Sequence, residues 1–105
     1  GIAYKKNIND CRESPAFELM KILTQKGAVL MFHDPYIKKI PKLRNYNLSE
    51  IEAVSLDKKK LEQFDFVILV TDHDNINYKM LKKYSKIIFD TRNKLENNIK
   101  NVYHL

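Results

Sequence analysis

Gly1-Ile2-Ala3-Tyr4-Lys5-Lys6-Asn7-Ile8-Asn9-Asp10-Cys11-Arg12-Glu13-Ser14-Pro15-Ala16 decides how the rest of the chain is read. An apolar strand end runs into a charged loop, and the loop runs into a helix whose start is written in its residues. Ser14 can cap the free N–H groups of the first turn, and Pro15 at the first helical position has no N–H to leave unsatisfied. Asp10, Arg12 and Glu13 therefore belong to the loop. In α/β sheets ligands bind at loops leaving the carboxyl ends of strands, and a helix N-terminus favours anions. Carrying Lys5, Lys6 and Arg12, this loop suits an anionic ligand. The alternative is that the three are solvated charges, as most surface cations are.

Downstream, Ala16, Leu19, Met20 and Leu23 fall at i, i+3, i+4 and i+7, an amphipathic helix that Gly27 closes. Ala28-Val29-Leu30-Met31-Phe32 is a continuous apolar run, the pattern of a strand buried on both faces, and it ends at His33-Asp34-Pro35. Strand, helix and strand in that order imply a right-handed parallel crossover. Residues from Tyr36 to about Ser49 are polar, basic and interrupted by Pro41, which reads as a long surface loop. A weak strand pattern covers Glu52 to Leu56, and a short helix capped by Asp57 runs to about Gln63.

Phe66-Val67-Ile68-Leu69-Val70 is the strongest strand and ends in Thr71-Asp72-His73-Asp74. A helix from Ile76 to Tyr84 follows, with Asp74 or Asn75 placed to cap it. The strand Lys86-Ile87-Ile88-Phe89 then delivers Asp90-Thr91-Arg92-Asn93, and Val102 to Leu105 form a last short strand. This alternation predicts an α/β fold, a three-layer α/β/α sandwich around an open, mostly parallel, Rossmann-like sheet, in one domain spanning residues 1–105.

Composition narrows the function classes. No apolar run in the 105 residues is long enough to cross a bilayer, and no signal peptide precedes the first strand, so a soluble cytoplasmic domain is expected. The net charge of +6 admits nucleic acid, an acidic membrane surface or a small anion as partner. The lysines are dispersed, as at Lys38-Lys39, Lys58-Lys59-Lys60 and Lys82-Lys83, with no basic arm and no aromatic-interleaved RNA motif. A small anionic ligand is the expected partner, with neither nucleic acid nor membrane. A stand-alone basic α/β module for nucleic acid or a protein is the alternative.

A parallel sheet brings the loops after Tyr4, Phe32, Val70 and Phe89 to one edge, which gathers Lys5, Lys6, Arg12, His33, Asp34, Asp72, His73 and Arg92 along a rim. The guanidinium of Arg92 offers a planar fork for phosphate or carboxylate, or else bridges to Asp90 or Asp72. Asp72-His73-Asp74 either holds a divalent ion or simply ends a strand and caps a helix. His33 reads as structural, and Asp34-Pro35 as a turn. His33, His73 and His104 lack the spacing of metal ligands, and no metal site is expected. Cys11, the only cysteine, excludes an internal disulfide. Beside Arg12 and a helix N-terminus its thiol pKa would fall, which makes it a nucleophile to weigh, although no histidine lies close in sequence to serve it as base.

Gly1-Ile2-Ala3-Tyr4-Lys5 followed by Asp10-Cys11-Arg12-Glu13-Ser14-Pro15-Ala16, then His33-Asp34-Pro35-Tyr36, Val70-Thr71-Asp72-His73 and Asp90-Thr91-Arg92-Asn93, resembles the C-terminal domain of the UDP-glucose/GDP-mannose dehydrogenase family. Four motifs in order carry the resemblance over nearly the whole chain. It implies a fragment of an enzyme that oxidises C6 of a nucleotide-linked hexose to the acid with two NAD molecules in succession. In that family an N-terminal Rossmann domain binds NAD, and a central helical region carries the catalytic cysteine and dimerises. The C-terminal domain binds the UDP part of the substrate.

On this resemblance Tyr4 and Lys5 match the aromatic-lysine pair that contacts the nucleotide sugar, Arg12 the arginine that reaches toward NAD, and Arg92 an arginine that contacts substrate. Lys6 stands where many relatives have proline, and Cys11 does not match the family nucleophile. The chain then holds no catalytic residue and is inactive alone, the UDP-sugar is its ligand, and the parent enzyme is a homo-oligomer. His33-Asp34-Pro35-Tyr36, Thr71-Asp72-His73 and Asp90-Thr91-Arg92-Asn93 resemble the branch acting on UDP-N-acetylhexosamines. Family domains carry a complete strand before the Gly-Ile-Ala-Tyr-Lys stretch, so a shortened central strand and an uncovered sheet edge are expected here.

Overall fold

Helix α1, Pro15–Gln25, begins where the sequence marks it: the Ser14 Oγ accepts the Ala16 N–H at 3.2 Å in a computed structural model that describes residues 1–105. The helix ends at Gly27, whose φ of 93° is a left-handed value that a side chain would strain. Ala16, Phe17 and Met20 turn inward and join Ile2, Ala3, Cys11, Phe32, Ile37, Ile40 and Leu48 in the larger of two apolar clusters.

Three members of that cluster correct the sequence reading. The stretch from Tyr36 to Ser49 is irregular, as expected, but it is no mere surface loop, because Ile37, Ile40 and Leu48 are buried. Widely spaced apolar residues in a polar segment give no periodic signal, yet they anchor the loop to α1.

The run Ala28–Phe32 differs more sharply. Only Phe32 pairs, through a single parallel bridge with Ala53, its N–H donating to the Glu52 carbonyl at 3.1 Å while its carbonyl accepts the Val54 N–H at 2.8 Å. The expected strand over Glu52 to Leu56 contracts to that same bridge. Val29 is 89% exposed and Met31 is 42% exposed, so the segment is not buried on both faces. It has a partner on one side only. On the other lies an apolar groove of about 630 Å³, walled by residues 28–33 and 65–70, floored by α1 and reaching Gly1 and Ile2.

The remaining elements form a small parallel sheet. Helix α2 (Lys58–Gln63) is capped by Asp57, which accepts the Lys60 N–H at 2.8 Å. Strand β1 (Val67–Leu69), helix α3 (Tyr78–Tyr84), strand β2 (Ile88–Asp90) and strand β3 (Val102–His104) follow in chain order. The sheet order is β1-β2-β3, all parallel, with Val67 opposite Ile88 and Ile88 opposite Val102. Leu61 of α2, Leu81 of α3, Ile88 and Leu95 make the second cluster. An open parallel sheet with helices is what the alternation of elements predicts.

Helix α3 starts later than expected. Its cap is Asn77, which accepts the Met80 N–H at 3.1 Å, not Asp74 or Asn75. Asp74 is held elsewhere, by the loop that begins the chain.

Candidate functional site

The carboxyl ends of β1 and β2 lie side by side, since Leu69 and Asp90 are register partners and the Leu69 carbonyl accepts the Thr91 hydroxyl at 2.7 Å. The segments that follow, Thr71–Asp74 and Thr91–Leu95, therefore leave from one edge. Residues 1–10 join them there. The Thr71 hydroxyl donates to the Ala3 carbonyl at 2.6 Å, and Gly1 packs so tightly that a Cβ on it would lie 2.2 Å from the Thr71 carbonyl oxygen. Only glycine tolerates that approach.

The loop after Tyr4 closes on itself, the Tyr4 N–H donating to the Asp10 carbonyl at 2.8 Å. At its turn Asn7 takes a left-handed φ of 64°, which asparagine accepts more readily than most residues. Three bonds fasten this residue to the β1 edge. The Asn7 N–H donates to His73 Nδ1 at 2.8 Å, its side-chain amide donates to Asp74 at 2.7 Å, and its side-chain oxygen accepts the Asp74 N–H at 2.9 Å.

Beneath this loop lies Asp34, which is buried and accepts five hydrogen bonds. They come from the N–H groups of Ile2 (2.8 Å), Ala3 (3.2 Å), Tyr36 (2.8 Å) and Ile37 (3.1 Å), and from His73 Nε2 (2.8 Å). Burial opposes its ionisation, but the Tyr36 and Ile2 amides and the His73 ring outweigh it and hold the carboxyl below its usual range. His73 is also fully buried, and Tyr36 packs edge-on against its ring. Tyr78 donates its hydroxyl to the His73 carbonyl. Burial, then Asp72, Asp74 and Asp90, push that phenol up to about 12, so it remains a donor at neutral pH.

Asp90 repeats the device at the end of β2. It is fully buried and accepts the Arg92 N–H at 3.0 Å and the Leu95 N–H at 2.7 Å, folding residues 91–95 back over the edge. Arg92 itself points outward, its Nε 3.5 Å from Asp72, with 56% of the side chain exposed. Lys94 and Lys6 both approach the same oxygen of Asp74, at 3.6 and 3.9 Å. The side-chain bond from Asn7, then Lys6 and Lys94, lowers the Asp74 pKa. Lys5 is exposed and lies over the half-exposed Tyr4 ring, 5.9 Å from its centroid. The site is thus a buried, hydrogen-bonded polar base with exposed cationic side chains around it.

Of the residues singled out from sequence, Lys6, Asp72, His73 and Arg92 come together around residues 71–74, and Tyr4 and Lys5 stand on the loop that Asn7 fastens there. Arg12 stands apart, paired through both forks with Asp10 at 3.0 and 3.1 Å and directed into solvent. His33 also turns away, its Nδ1 on the Val54 carbonyl at 2.8 Å. Cys11 is no exposed nucleophile: it is buried in the apolar cluster, and burial pushes its thiol up, against the lowering that Arg12 alone would cause. Asp72-His73-Asp74 divides three ways, His73 inward to Asp34, Asp72 to Arg92 and Asp74 to the lysines.

The sequence assigns Asn7 no role, and it puts Asp34 on the rim and in a turn without revealing its partner. No local pattern reveals a pairing 39 residues apart. The one available signal was polarity: an aspartate two residues after one strand-like apolar run and a histidine three residues after another.

Comparison with known proteins decides the family. The sequence profile of the UDP-glucose/GDP-mannose dehydrogenase family, UDP binding domain, matches residues 1–97. The chain belongs to that family. It is 32% identical over 109 residues to the UDP-N-acetyl-D-mannosamine dehydrogenase of Methanococcus maripaludis, covering 94% of this chain and 23% of that protein. It is 34% identical over 96 residues to the NDP-N-acetyl-D-galactosaminuronic acid dehydrogenase of Ralstonia nicotianae, covering 88% of this chain and 21% of the relative. Among solved structures, the UDP-D-ManNAc dehydrogenase of Pyrococcus horikoshii superposes with a TM-score of 0.70 at 25% identity, over 99% of this chain and 23% of that one. The chain thus spans about a quarter of the length of these relatives. All three names contain an N-acetylated hexosamine or its acid, the branch that the motifs resemble.

Proposed function

We propose that this chain binds the nucleotide diphosphate of a UDP-N-acetylhexosamine, as the UDP-binding part of an NAD-dependent dehydrogenase that oxidises the sugar at C6. The observation that carries the reading is the convergence of two cation-bearing segments, residues 4–10 with Lys5 and Lys6 and residues 91–95 with Arg92 and Lys94, on the sheet edge where residues 71–74 hold them through Asp72, His73 and Asp74. A diphosphate needs charge and directed donors in one place, and Lys5 and Arg92 offer both without competing bidentate partners. Tyr4 offers a half-exposed ring for the uridine or sugar face.

NAD does not fit a site built from this chain alone. The glycine-rich fingerprint that lets a backbone approach a dinucleotide needs three closely spaced glycines, and the sequence holds only Gly1 and Gly27. Arg12 is proposed to face the cofactor across a cleft formed with another domain. The chain then contributes orientation of the nucleotide sugar, and hydride transfer belongs to the rest of the enzyme.

Titration of UDP into the domain, followed by NMR, tests the reading. Shifts centred on residues 4–10, 72–74 and 91–95 are expected, with affinity falling about tenfold in Arg92→Ala and in Lys5→Ala, as loss of a charge-assisted hydrogen bond predicts. Shifts elsewhere, or tighter and steeply salt-dependent binding of DNA or RNA, would overturn it.

A further inference from the structure

We infer that His73, uncharged and carrying its proton on Nε2, is a positioning residue: it holds the loop Tyr4–Asp10, and with it Lys5, in the ligand-binding conformation. The inference rests on the proposed nucleotide site and adds to it the part that sets the loop in place.

The geometry fixes the ring's protonation. An ionised Asp34 can only accept, so the nitrogen 2.8 Å from its Oδ2 must donate, and that nitrogen is Nε2. The Asn7 N–H can only donate, so Nδ1, at 2.8 Å, must be bare. One neutral tautomer satisfies both contacts. A second proton on Nδ1 would set two donors face to face and expel Asn7. The loop has no alternative anchor of comparable burial, since the Asn7–Asp74 bonds are exposed.

Few titratable groups surround this ring. Asp34 faces Nε2 from the segment after Phe32, Tyr36 meets the ring edge, and Tyr78 of α3 binds the His73 carbonyl. Asp74, with Lys6 and Lys94 on it, lies at the outer end of the same loop. His104, 3.5 Å from Asp90, and His33, on the Val54 carbonyl, touch neither Asn7 nor Lys5. The loop's hold is therefore linked to the proton on this ring, and acid is expected to release it; the Gly1 amino group, lowered to about 6 by burial against the pull of Asp34, is the neighbouring group that also changes charge in acid, so the ring must be followed directly. By linkage, a ligand that needs the closed loop binds less well once that proton is taken up.

The probe is UDP-N-acetylglucosamine, whose diphosphate is esterified at both ends and keeps its charge across the range used. In the wild-type domain, affinity should fall about fivefold, the equivalent of one hydrogen bond, as acid places the second proton on the His73 ring. NMR should show that fall tracking protonation of the His73 ring, distinguished from His33 and His104, with amide exchange of residues 5–9 accelerating in step. His73→Asn retains an acceptor toward Asn7 but cannot take up a proton, and its binding should lose this pH dependence. His73→Phe should bind about fivefold more weakly at every pH.

A folded His73→Phe with wild-type affinity and wild-type exchange at residues 5–9 would overturn the inference. If the phenylalanine variant does not fold, the wild-type titration decides alone: protonation of His73 with no change in the loop amides overturns it equally. Loop exchange that follows His73 in a protein that binds no nucleotide would support the positioning role and refute the proposed function instead.

Discussion

Asp34 and His73 meet at 2.8 Å with both side chains sealed from solvent, and through them the segment after Phe32, the loop after Tyr4 and the loop after β1 become one body. The carboxylate accepts from five donors and the imidazole from a sixth. Removing Asp34 would leave four backbone N–H groups and a ring nitrogen unpaired where water cannot reach. Asp34→Ala is therefore expected to cost at least about 3 kcal/mol, a large part of the stability of a domain this size. Urea unfolding followed by circular dichroism measures it, and a loss under about 1 kcal/mol would contradict the account.

Asp34 also shapes how stability responds to acid. The Asp34 carboxyl titrates lower in the folded chain than its ordinary 3.8, so between the two values the unfolded state binds more protons and stability rises with pH. This contribution is complete above the unfolded value and is lost as pH falls through the folded one. Unfolding midpoints should stay level through the mildly acidic range, as far as Asp34 is concerned, and drop below about pH 4. In Asp34→Asn that drop should be shallower.

Some of the fold was legible in local chemistry and some was not. Ser14, Pro15, Asp57 and Gly27 mark helix ends through bonds made within a few residues, so sequence alone locates them. Phe66–Val70 and Lys86–Phe89 read as strands because apolar runs of that length have few alternatives, and β1 and β2 form within two residues of those bounds. Ala28–Phe32 has the same apolar signature but becomes a strand only where a neighbour supplies hydrogen bonds, and one neighbour does so at Phe32 alone. The site divides likewise. Charged residues at strand ends could be listed from sequence, but whether each faces ligand, solvent or a carboxylate depends on distant partners, as Arg12 on Asp10 and His73 on Asp34 show.

Ser14 joins two roles and gives a clean test of the helix start. Its Oγ accepts the Ala16 N–H and lies 3.4 Å from the Ala3 carbonyl, to which it donates. Ser14→Ala should cost about 1 to 2 kcal/mol, the upper end of an ordinary cap loss. Ser14→Asp keeps the acceptor but sets a carboxylate against the Ala3 carbonyl, so it should recover less than a cap substitution normally does. Thermal melts of the two variants compare them directly.

Cys11 separates a buried structural thiol from a nucleophile. Burial in the α1 cluster pushes its thiol pKa up. Modification by a neutral thiol reagent at neutral pH should therefore be slow in the native domain and become fast only on unfolding. Cys11→Ala should leave UDP binding unchanged and cost about 1 kcal/mol through the lost packing. Rapid native-state modification at neutral pH would show the thiol exposed and reopen its candidacy.

The groove between residues 28–33 and 65–70 makes the strongest demand on solution behaviour. Its walls are two backbone edges, each paired on one side only, and its lining includes Leu19, Met20, Leu23, Leu30, Val67 and Leu69. An apolar surface beside unpaired strand edges favours pairing with another chain. The isolated domain is expected to associate as its concentration rises, with sedimentation velocity showing species larger than the monomer. Met31, 42% exposed on one wall, is the site for a charge. Met31→Lys should shift the distribution toward monomer with little change in melting temperature, because a half-exposed side chain can turn its ammonium to water. Association unchanged by that charge, but reduced by substituting the exposed Tyr103 on β3, would move the contact to the opposite edge of the sheet.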